Sequence, residues 1–230
     1  MVKAGVITIG AALMISMCLW IAVGVISVAG VETPGFELIE ARDGYEVREY
    51  APHIVAEVTV SSPFRQGMND GFRQLADYIF GNNRLAGESE GASQEIAMTA
   101  PVIEREAPGV EIAMTAPVQE QSDGEERRIV SFVMPREYTM DTLPQPNNPA
   151  IRLVEKPAIR YAVLTFSGSV SESVMRKRKA ELMALAERDE LRHTGQPMLC
   201  QYDPPWTPPF MRKNEIWLQL EEAAPDPAGG

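Results

Sequence analysis

The chain has 230 residues, of which 45% are apolar and 23% charged, a composition typical of a globular protein rather than a disordered chain or a fibre. Its formal net charge of -11 argues against nucleic-acid binding, because an acidic surface repels the phosphate backbone. Two cysteines and two histidines are too few for a disulfide scaffold, a four-cysteine zinc site or a dedicated multi-histidine metal centre.

The N-terminal segment carries no charged residue from position 4 to position 31. This run is longer than the roughly 20 residues that a helix needs to cross a bilayer core, and longer than the ~7–15 apolar residues of most signal peptides. We therefore expect residues 1–31 to form a single-pass transmembrane signal-anchor. The alternative is a signal peptide cleaved at Val28-Ala29-Gly30, which would give a secreted or periplasmic protein. Lys3 precedes the segment and Glu32 follows it, so residues 32–230 are predicted to lie on the extracytoplasmic side.

Three short strands and an amphipathic helix are predicted next. The strands cover residues 36–40, 45–50 and 54–60. Ser62-Pro63 supplies a cap and a first-turn proline, and Gly81 offers a stop. Between them the apolar residues recur at helical spacing and form one broad stripe: Phe64, Met68, Phe72, Leu75, Ala76 and Ile79.

The rest of the chain repeats the order of strands, helix and strands. Further strands are predicted at residues 95–104, 110–120, 128–134, 151–155, 158–166, 198–202 and 215–220. The second helix is expected to run from Ser169, which fits a capping box with Glu172, to about Asp189. Its inner face would carry Met175, Leu182, Leu185 and Ala186. This order favours an α+β domain over residues 32–220, with two related halves that share one sheet system and a disordered tail at residues 221–230.

The sequence IAMTAPV occurs twice, at residues 96–102 and 112–118. Both copies are compatible with β-structure and they flank Ala107-Pro108-Gly109, which predicts a hairpin with the copies side by side. Met98 and Met114 occupy equivalent places in the two copies. They either fill the core, which we favour because methionine packs irregular gaps well, or line an apolar pocket.

Several segments together resemble the SOUL family of haem-binding proteins. They are YEVREY at residues 45–50, the helix end LADYIFGNN, IAMTAPV, FVMP at residues 132–135 and the C-terminal QYDPPW…RKNEIWLQL. Their order and spacing match over residues 36–220, so the chain resembles a membrane-anchored, bacterial-type member. The resemblance implies a distorted antiparallel β-barrel with two helices and two similar halves. It also implies non-covalent binding of haem or a related tetrapyrrole in an apolar groove beside the first helix.

A tetrapyrrole is a large flat apolar plate with two carboxylates, so its site needs an apolar groove with cations or donors at the rim. The first helix would form one wall, the two methionines of the repeat another, and a loop stiffened by four prolines would either cover the groove as a lid or pack on the barrel end. The residues expected at the plate are Met68, Phe72, Leu75, Ile79, Met98, Met114, Trp206 and Phe210.

The chain departs from the family at two places that concern haem. Some members carry a histidine, proposed as an axial ligand, where this chain has Glu49; His53, four residues later, is the remaining candidate for an iron ligand nearby. Better-known members also carry basic residues at the positions of Asn69, Asp77 and Thr207. Arg73 and Arg212 are candidates to bind the propionates instead, or are solvated surface charges.

Motifs of enzymatic chemistry are missing from the sequence: it contains no GxSxG elbow, HExxH, phosphate loop or dinucleotide fingerprint. We therefore predict a binding protein rather than an enzyme, which holds haem or a porphyrin for transport, buffering or sensing. The alternative is that the same scaffold binds another apolar small molecule or a protein partner, with haem incidental.

Overall fold

The computed structural model describes residues 15–21, 23–24, 30–85, 92–107 and 127–221. Their regular elements, in chain order, are β1 (Phe36–Arg42), β2 (Tyr45–Tyr50), β3 (His53–Ser61), α1 (Phe64–Ile79), β4 (Asn83–Arg84), β5 (Val102–Glu106), β6 (Arg127–Val133), β7 (Gln145–Pro146), β8 (Ile151–Lys156), β9 (Ile159–Ser167), α2 (Glu172–Arg188), β10 (Met198–Gln201), a 3-10 helix (Pro209–Met211) and β11 (Lys213–Gln219).

Nine of these strands form one antiparallel sheet in the order β1-β2-β9-β11-β10-β5-β6-β3-β8, and β4 pairs with β7 separately. The sheet curls into a half-barrel, with β1 and β8 as its edges. The α+β class expected from the sequence is therefore confirmed, while the sheet is an open, curled one rather than a closed barrel.

The sheet is covered on one face by the two α-helices. The helix α1 packs over β3 and β6 through one apolar cluster, and α2 packs over β9 and β11 through a second. Along each strand, the side chains that alternate with those under the helices lie on the opposite, concave face of the sheet. They form a third cluster, centred on the aromatic rings of Tyr50, Tyr161 and Trp217.

The first helix approaches the sheet through two glycines. A Cβ added at Gly71 would lie 2.5 Å from Val130 Cγ2 of β6, and one at Gly67 would lie 3.3 Å from Val60 Cγ2 of β3. The helix begins after Pro63, which stands at the N-cap position without a side-chain hydrogen bond. The predicted cap at Ser62 was wrong by one residue, since the Ser62 hydroxyl donates instead to Asp70, at 3.5 Å.

The second helix begins two residues later than the capping box predicted. Its N-cap is Ser171, whose hydroxyl accepts the amide of Val174, and not Ser169. Met175, Leu182 and Ala186 are buried as expected, whereas Leu185 is only half-buried. The helix also buries Lys179, whose ammonium lies 3.6 Å from a carboxylate oxygen of Glu104 on β5.

The first copy of IAMTAPV lies outside the main sheet except at its last residue. The Ile96 amide donates to the Ile79 carbonyl at the end of α1, and Thr99 forms an isolated parallel β-bridge with Glu32. Residues 96–101 are therefore an irregular segment that precedes β5. The strand predicted at residues 95–104 therefore starts later, at Val102. The second copy, with Met114, and the tail from residue 222 lie outside the described residues.

Part of the N-terminal apolar segment is described, and residues 15–21 and 23–24 are helical. Within the described part of the chain, no helix is both long enough and apolar enough to span a bilayer.

Candidate functional site

The predicted groove wall on α1 divides into buried and exposed side chains. Leu75 and Ile79 lie in the core, at 0% and 1% exposure, and Met68 is half-buried between the clusters of both helices. Phe72 is 39% exposed and meets the buried ring of Phe132 edge-on, with the ring centroids 5.3 Å apart. A ligand on this surface would therefore meet Phe72 and Met68, since the other two side chains face the core.

Arg73 lies beside Phe72 on α1, and its side chain is 79% exposed. Its nearest carboxylate is Asp70, at 4.0 Å. It also borders a shallow hollow of about 360 Å³, formed with Gln74 and the end of β3. Among the predicted rim residues, Arg73 thus has a weakly engaged charge beside an exposed aromatic ring.

Of the two methionines of the repeat, the structure describes Met98. Met98 is 38% exposed, so it is not the core residue that we favoured from the sequence. Its neighbour Thr99 is buried and donates a hydrogen bond to the carbonyl of Val133. Met114 lies outside the described residues.

The proline-rich loop between β10 and β11 is held together by Arg212. The Arg212 guanidinium donates to the carbonyls of Thr207 and Pro205, at 2.7 and 2.5 Å. Trp206 and Phe210 are exposed on this loop. The indole of Trp20, in the N-terminal helical segment, donates to the Trp206 carbonyl at 2.7 Å. Arg212 is therefore engaged within the loop, and Trp206 and Phe210 lie on the surface of the loop.

A separate cavity of about 640 Å³ opens where β3 begins and where β6 and β8 end. One wall is the segment of residues 32–35, which we call the strap. The strap is tied down by the Ala100 amide, which donates to the Glu32 carbonyl at 2.9 Å, and by the ion pair of Glu32 with Arg136, also at 2.9 Å. The remaining lining is mainly apolar and includes Ile54, Val133, Met134, Pro52, Pro135 and Pro157.

His53 lies in the wall of this cavity. Its Nδ1 is 2.8 Å from the Ala51 carbonyl oxygen, which can only accept, so Nδ1 carries the proton. Burial lowers the pKa of His53; the hydrogen bond to Ala51 opposes this effect and the charge of Lys156 adds to it. The net shift is downward, so the imidazole is neutral at pH 7.

Lys156 also lines the cavity, directly across the strand pair from His53. No residue in the described ranges forms an ion pair with it. The cavity wall thus carries an imidazole and an ammonium group on adjacent strands, together with the carboxylates of Glu32 and Glu155.

A buried carboxylate inside the curl holds several strands together. Glu215 accepts hydrogen bonds from Arg48, Tyr202 and Trp217, at 2.9, 2.5 and 2.7 Å. Burial raises its pKa, but the hydrogen bonds from Tyr202 and Trp217 and the charges of Lys213 and Arg48 outweigh burial, so its pKa lies below the usual range. This network is structural, because every donor belongs to a core strand or its flank.

The thiol of Cys200 is fully buried on β10, and burial raises its pKa well above the usual value. Over the residues that the structure covers, no group of three or more His, Cys, Asp or Glu side chains is placed to hold a metal ion.

Sequence reasoning singled out His53 but not the cavity around it. The lining comes from four stretches, near residues 32–35, 51–54, 133–139 and 155–157, with Thr99 added. No local pattern links these stretches, because they meet only when the sheet curls. Thr207, one of the three positions at which the family resemblance implies a basic residue, is buried.

The comparisons with known proteins agree with the fold and the motifs. Residues 31–219 match the SOUL heme-binding protein family. "Heme-binding protein 1" of Xenopus laevis is 28% identical over 196 residues, which cover 82% of this chain and 92% of that protein, and its Xenopus tropicalis counterpart is 27% identical over 195 residues. Among solved structures, the EcmrR C-terminal domain aligns with a TM-score of 0.52 and 15% identity, over 78% of this chain and 99% of that domain, which supports the fold alone. The chain belongs to the SOUL heme-binding family.

Proposed function

We propose that this protein binds haem or a related tetrapyrrole non-covalently on the apolar surface beside α1, as a binding module for transport, buffering or sensing and not as an enzyme. Family membership supports haem binding in general. The position beside α1 is supported by the side chains that this helix leaves exposed, and their chemistry fits the ligand. Phe72 and Met68 offer apolar contact to the plate, and Arg73 offers a cation to a propionate.

The exposed ring of Phe72 is the observation on which this position depends. A phenylalanine on a surface helix gains more by facing the core, yet this side chain is 39% exposed and its ring packs at an angle against Phe132. A flat apolar ligand laid beside it would remove the rest of the ring from water. Since full burial of a phenylalanine is worth about 1.5–3 kcal/mol, covering the exposed part is worth roughly 1 kcal/mol.

The rim of this surface has one cation available and one already engaged. Arg212 is held by carbonyls of its own loop, whereas Arg73 has only a distant carboxylate partner. We therefore assign the propionate contact to Arg73, and assign Arg212 the role of keeping the loop of Trp206 and Phe210 in shape.

Haemin titration followed in the Soret region tests this proposal. Phe72→Glu should weaken haemin binding roughly tenfold, because it removes about 1 kcal/mol of apolar contact and adds repulsion toward the propionates. Phe80→Glu is the matched control: Phe80 is 60% exposed and follows the last residue of α1, so the same substitution there should leave haemin binding unchanged.

Equal haemin affinity for Phe72→Glu and the wild type would overturn the position beside α1. A wild-type spectrum identical to that of free haemin would overturn the function itself. In that case, native mass spectrometry of protein from its own host would be expected to reveal a different apolar ligand or a protein partner.

We further propose that residues 1–31 anchor this binding module in a membrane, with residues 32–230 on the extracytoplasmic side. The uncharged run of residues 4–31 and the charges that flank it support this proposal. Fractionation of cells that produce the full chain tests it: extraction of the protein by carbonate or high salt, without detergent, would contradict an anchor.

A further inference from the structure

The loop between β10 and β11 presents its two largest apolar side chains to the outside. Phe210 is 63% exposed and Trp206 is 56% exposed, so neither ring packs on the end of the sheet. The sequence has no charged residue from position 204 to position 211, and both rings lie within this uncharged stretch. An apolar surface of this kind is typical of contact with another molecule or with a membrane.

The backbone of the uncharged stretch satisfies its acceptors without water. Four of its residues are prolines, which have no amide hydrogen. Each carbonyl oxygen from residue 204 to residue 209 accepts a hydrogen bond from within the chain. The six donors, in the order of the acceptors, are the Thr207 amide, Arg212 Nη2, the Trp20 indole, Arg212 Nε, the Met211 amide and the Arg212 amide. A segment that enters the edge of a bilayer needs such internal partners, because lipid tails offer none.

The N-terminal helical segment packs against the same loop. A Cβ added at Gly24 would lie 2.8 Å from Pro208 Cδ, so the segment and the loop approach closely at this glycine. The Trp20 indole, one turn earlier, donates to the Trp206 carbonyl at 2.7 Å. The segment itself exposes further large apolar side chains, those of Ile15, Met17, Leu19 and Val23. Two elements in contact with each other therefore both expose apolar side chains.

The place of Trp20 in the uncharged run agrees with the edge of a bilayer. Residues 4–20 alone come within the roughly 17–25 residues that a helical span requires. A span that begins at residue 4 would therefore leave the hydrocarbon core near Trp20. Tryptophan is enriched at this boundary, because its ring is apolar and its indole N–H is a donor. The loop that Trp20 contacts would then lie at the same level.

The charged groups that flank the uncharged stretch are engaged within the protein. The Asp203 carboxylate accepts the Lys213 amide at 2.6 Å, and the Lys213 ammonium pairs with Glu215 at 3.0 Å. The Arg212 guanidinium donates to carbonyls of the loop and lies 3.3 Å from the Ser169 hydroxyl. The chain as a whole carries a net charge of -11, which opposes binding to anionic lipids. The loop is therefore suited to a neutral, apolar partner.

We propose that residues 204–211 lie in the interfacial layer of the bilayer that carries the N-terminal segment, with Phe210 and Trp206 inserted among the lipids; this inference rests on the anchor proposed above. The binding module then has two attachments to the membrane, the N-terminal segment and the loop, and its orientation relative to the bilayer is fixed. Because the contact is apolar, it requires neither anionic lipids nor low salt.

Quenching of tryptophan fluorescence in the full chain tests the inference. The chain is incorporated into nanodiscs of zwitterionic phosphatidylcholine, prepared with and without lipids that carry bromine near the headgroup. Phe210→Trp places a new indole on the loop, and its emission is taken as the difference from the wild type. Most of this added emission should be lost to the brominated lipids, at low and at high salt, and little of it to iodide in the aqueous phase.

The matched control is Glu187→Trp, which places an exposed indole in the last turn of α2. This helix begins close to the loop, since Ser169 contacts Arg212, and its rise of about 1.5 Å per residue carries Glu187 roughly 20 Å along the helix from its start. The emission added by Glu187→Trp should be lost to iodide and not to the brominated lipids. Melting curves establish that both variants are folded.

Three results in nanodiscs would overturn the inference and leave the anchor standing. Quenching of the Phe210→Trp emission by iodide and not by the brominated lipids would place the loop in water. Protection of that emission from both quenchers would mean that protein, such as a second copy of the chain, covers the loop. Equal quenching of both variants by the brominated lipids would mean that the contact is not specific to the loop.

A chain that does not elute with the nanodiscs once detergent is removed would overturn the anchor and this inference together. The haemin titration of Phe72→Glu is independent of all these results, because it reports the surface beside α1. Failure of the membrane contact is therefore distinguishable from failure of haem binding.

Discussion

The close approach of α1 to β6 predicts that Gly71→Ala destabilises the protein, although alanine is normally the better helix former. In an ordinary helix the substitution gains about 0.8–1.0 kcal/mol. Here the new Cβ would lie 2.5 Å from Val130 Cγ2 and 2.6 Å from Val130 Cβ, on a fully buried residue in a strand paired on both sides. Overpacking of this kind costs about 1–3 kcal/mol, and the short contacts place the cost at the upper end. We expect a net loss of about 2 kcal/mol.

Thermal unfolding followed by circular dichroism measures this loss. In a domain of this size, each kcal/mol of lost unfolding free energy lowers Tm by about 2–4 °C. The Gly71→Ala variant should therefore unfold roughly 4–8 °C below the wild type. Gly67→Ala is the control on the same helix: its nearest neighbours would lie at 3.1 Å or more, so the helix-propensity gain offsets most of the crowding. Combining Gly71→Ala with Val130→Ala should show a favourable coupling, because the added methyl fills space that the valine vacates. A Gly71→Ala variant as stable as the wild type would refute the packing argument.

Two further predictions concern the buried carboxylate and the start of α2. Glu215 has a pKa below the value of about 4.5 for an ordinary glutamate, so its stabilisation is present above that pH and is lost as the pH falls through the lower pKa of the folded state. Glu215→Gln should therefore be less stable near pH 7, and the difference from the wild type in urea unfolding should shrink between pH 5 and pH 3; a constant difference would contradict the pKa argument. Ser171→Ala should lower the free energy of unfolding by about 1 kcal/mol, because it removes the N-cap of α2. Ser169→Ala should lower it by less than about 0.5 kcal/mol. The reverse order of the two urea midpoints would favour the capping box predicted from the sequence.

The sequence allowed the strands and helices to be predicted where local periodicity determines them. Alternation at Ile54, Ala56, Val58 and Val60 indicated a half-buried strand, and these four residues do face α1 within β3. The helical stripe from Phe64 to Ile79 indicated α1, although its cap was predicted one residue too early. The stripe nevertheless included Phe72, which is exposed, and omitted the glycines, which let the helix approach the sheet. Helical spacing describes which residues share a face, but not how closely that face approaches its neighbour.

Long-range partners explain the rest of what the sequence did not show. Lys179 is buried on α2 because it reaches Glu104 on β5, a residue 75 positions earlier that also binds Arg128 at 2.8 Å. A lysine within a charged run is normally taken as solvent-facing, and nothing near it in the chain indicates otherwise. In the same way, His53 was recognised as a candidate ligand from its residue type, whereas its cavity depends on distant strands that meet through the curl of the sheet.

The strap connects the uncharged N-terminal segment to the wall of the cavity. Residues 32–35 directly follow the uncharged segment, and they are fastened at the Glu32 carbonyl, at the Glu32 carboxylate and, through the Gly35 carbonyl, to the amide of Ala51. The last of these fastenings is two residues from His53. A displacement of the chain at residue 31 would therefore act first on the two contacts of Glu32, and only after these break on the hydrogen bond between Gly35 and Ala51.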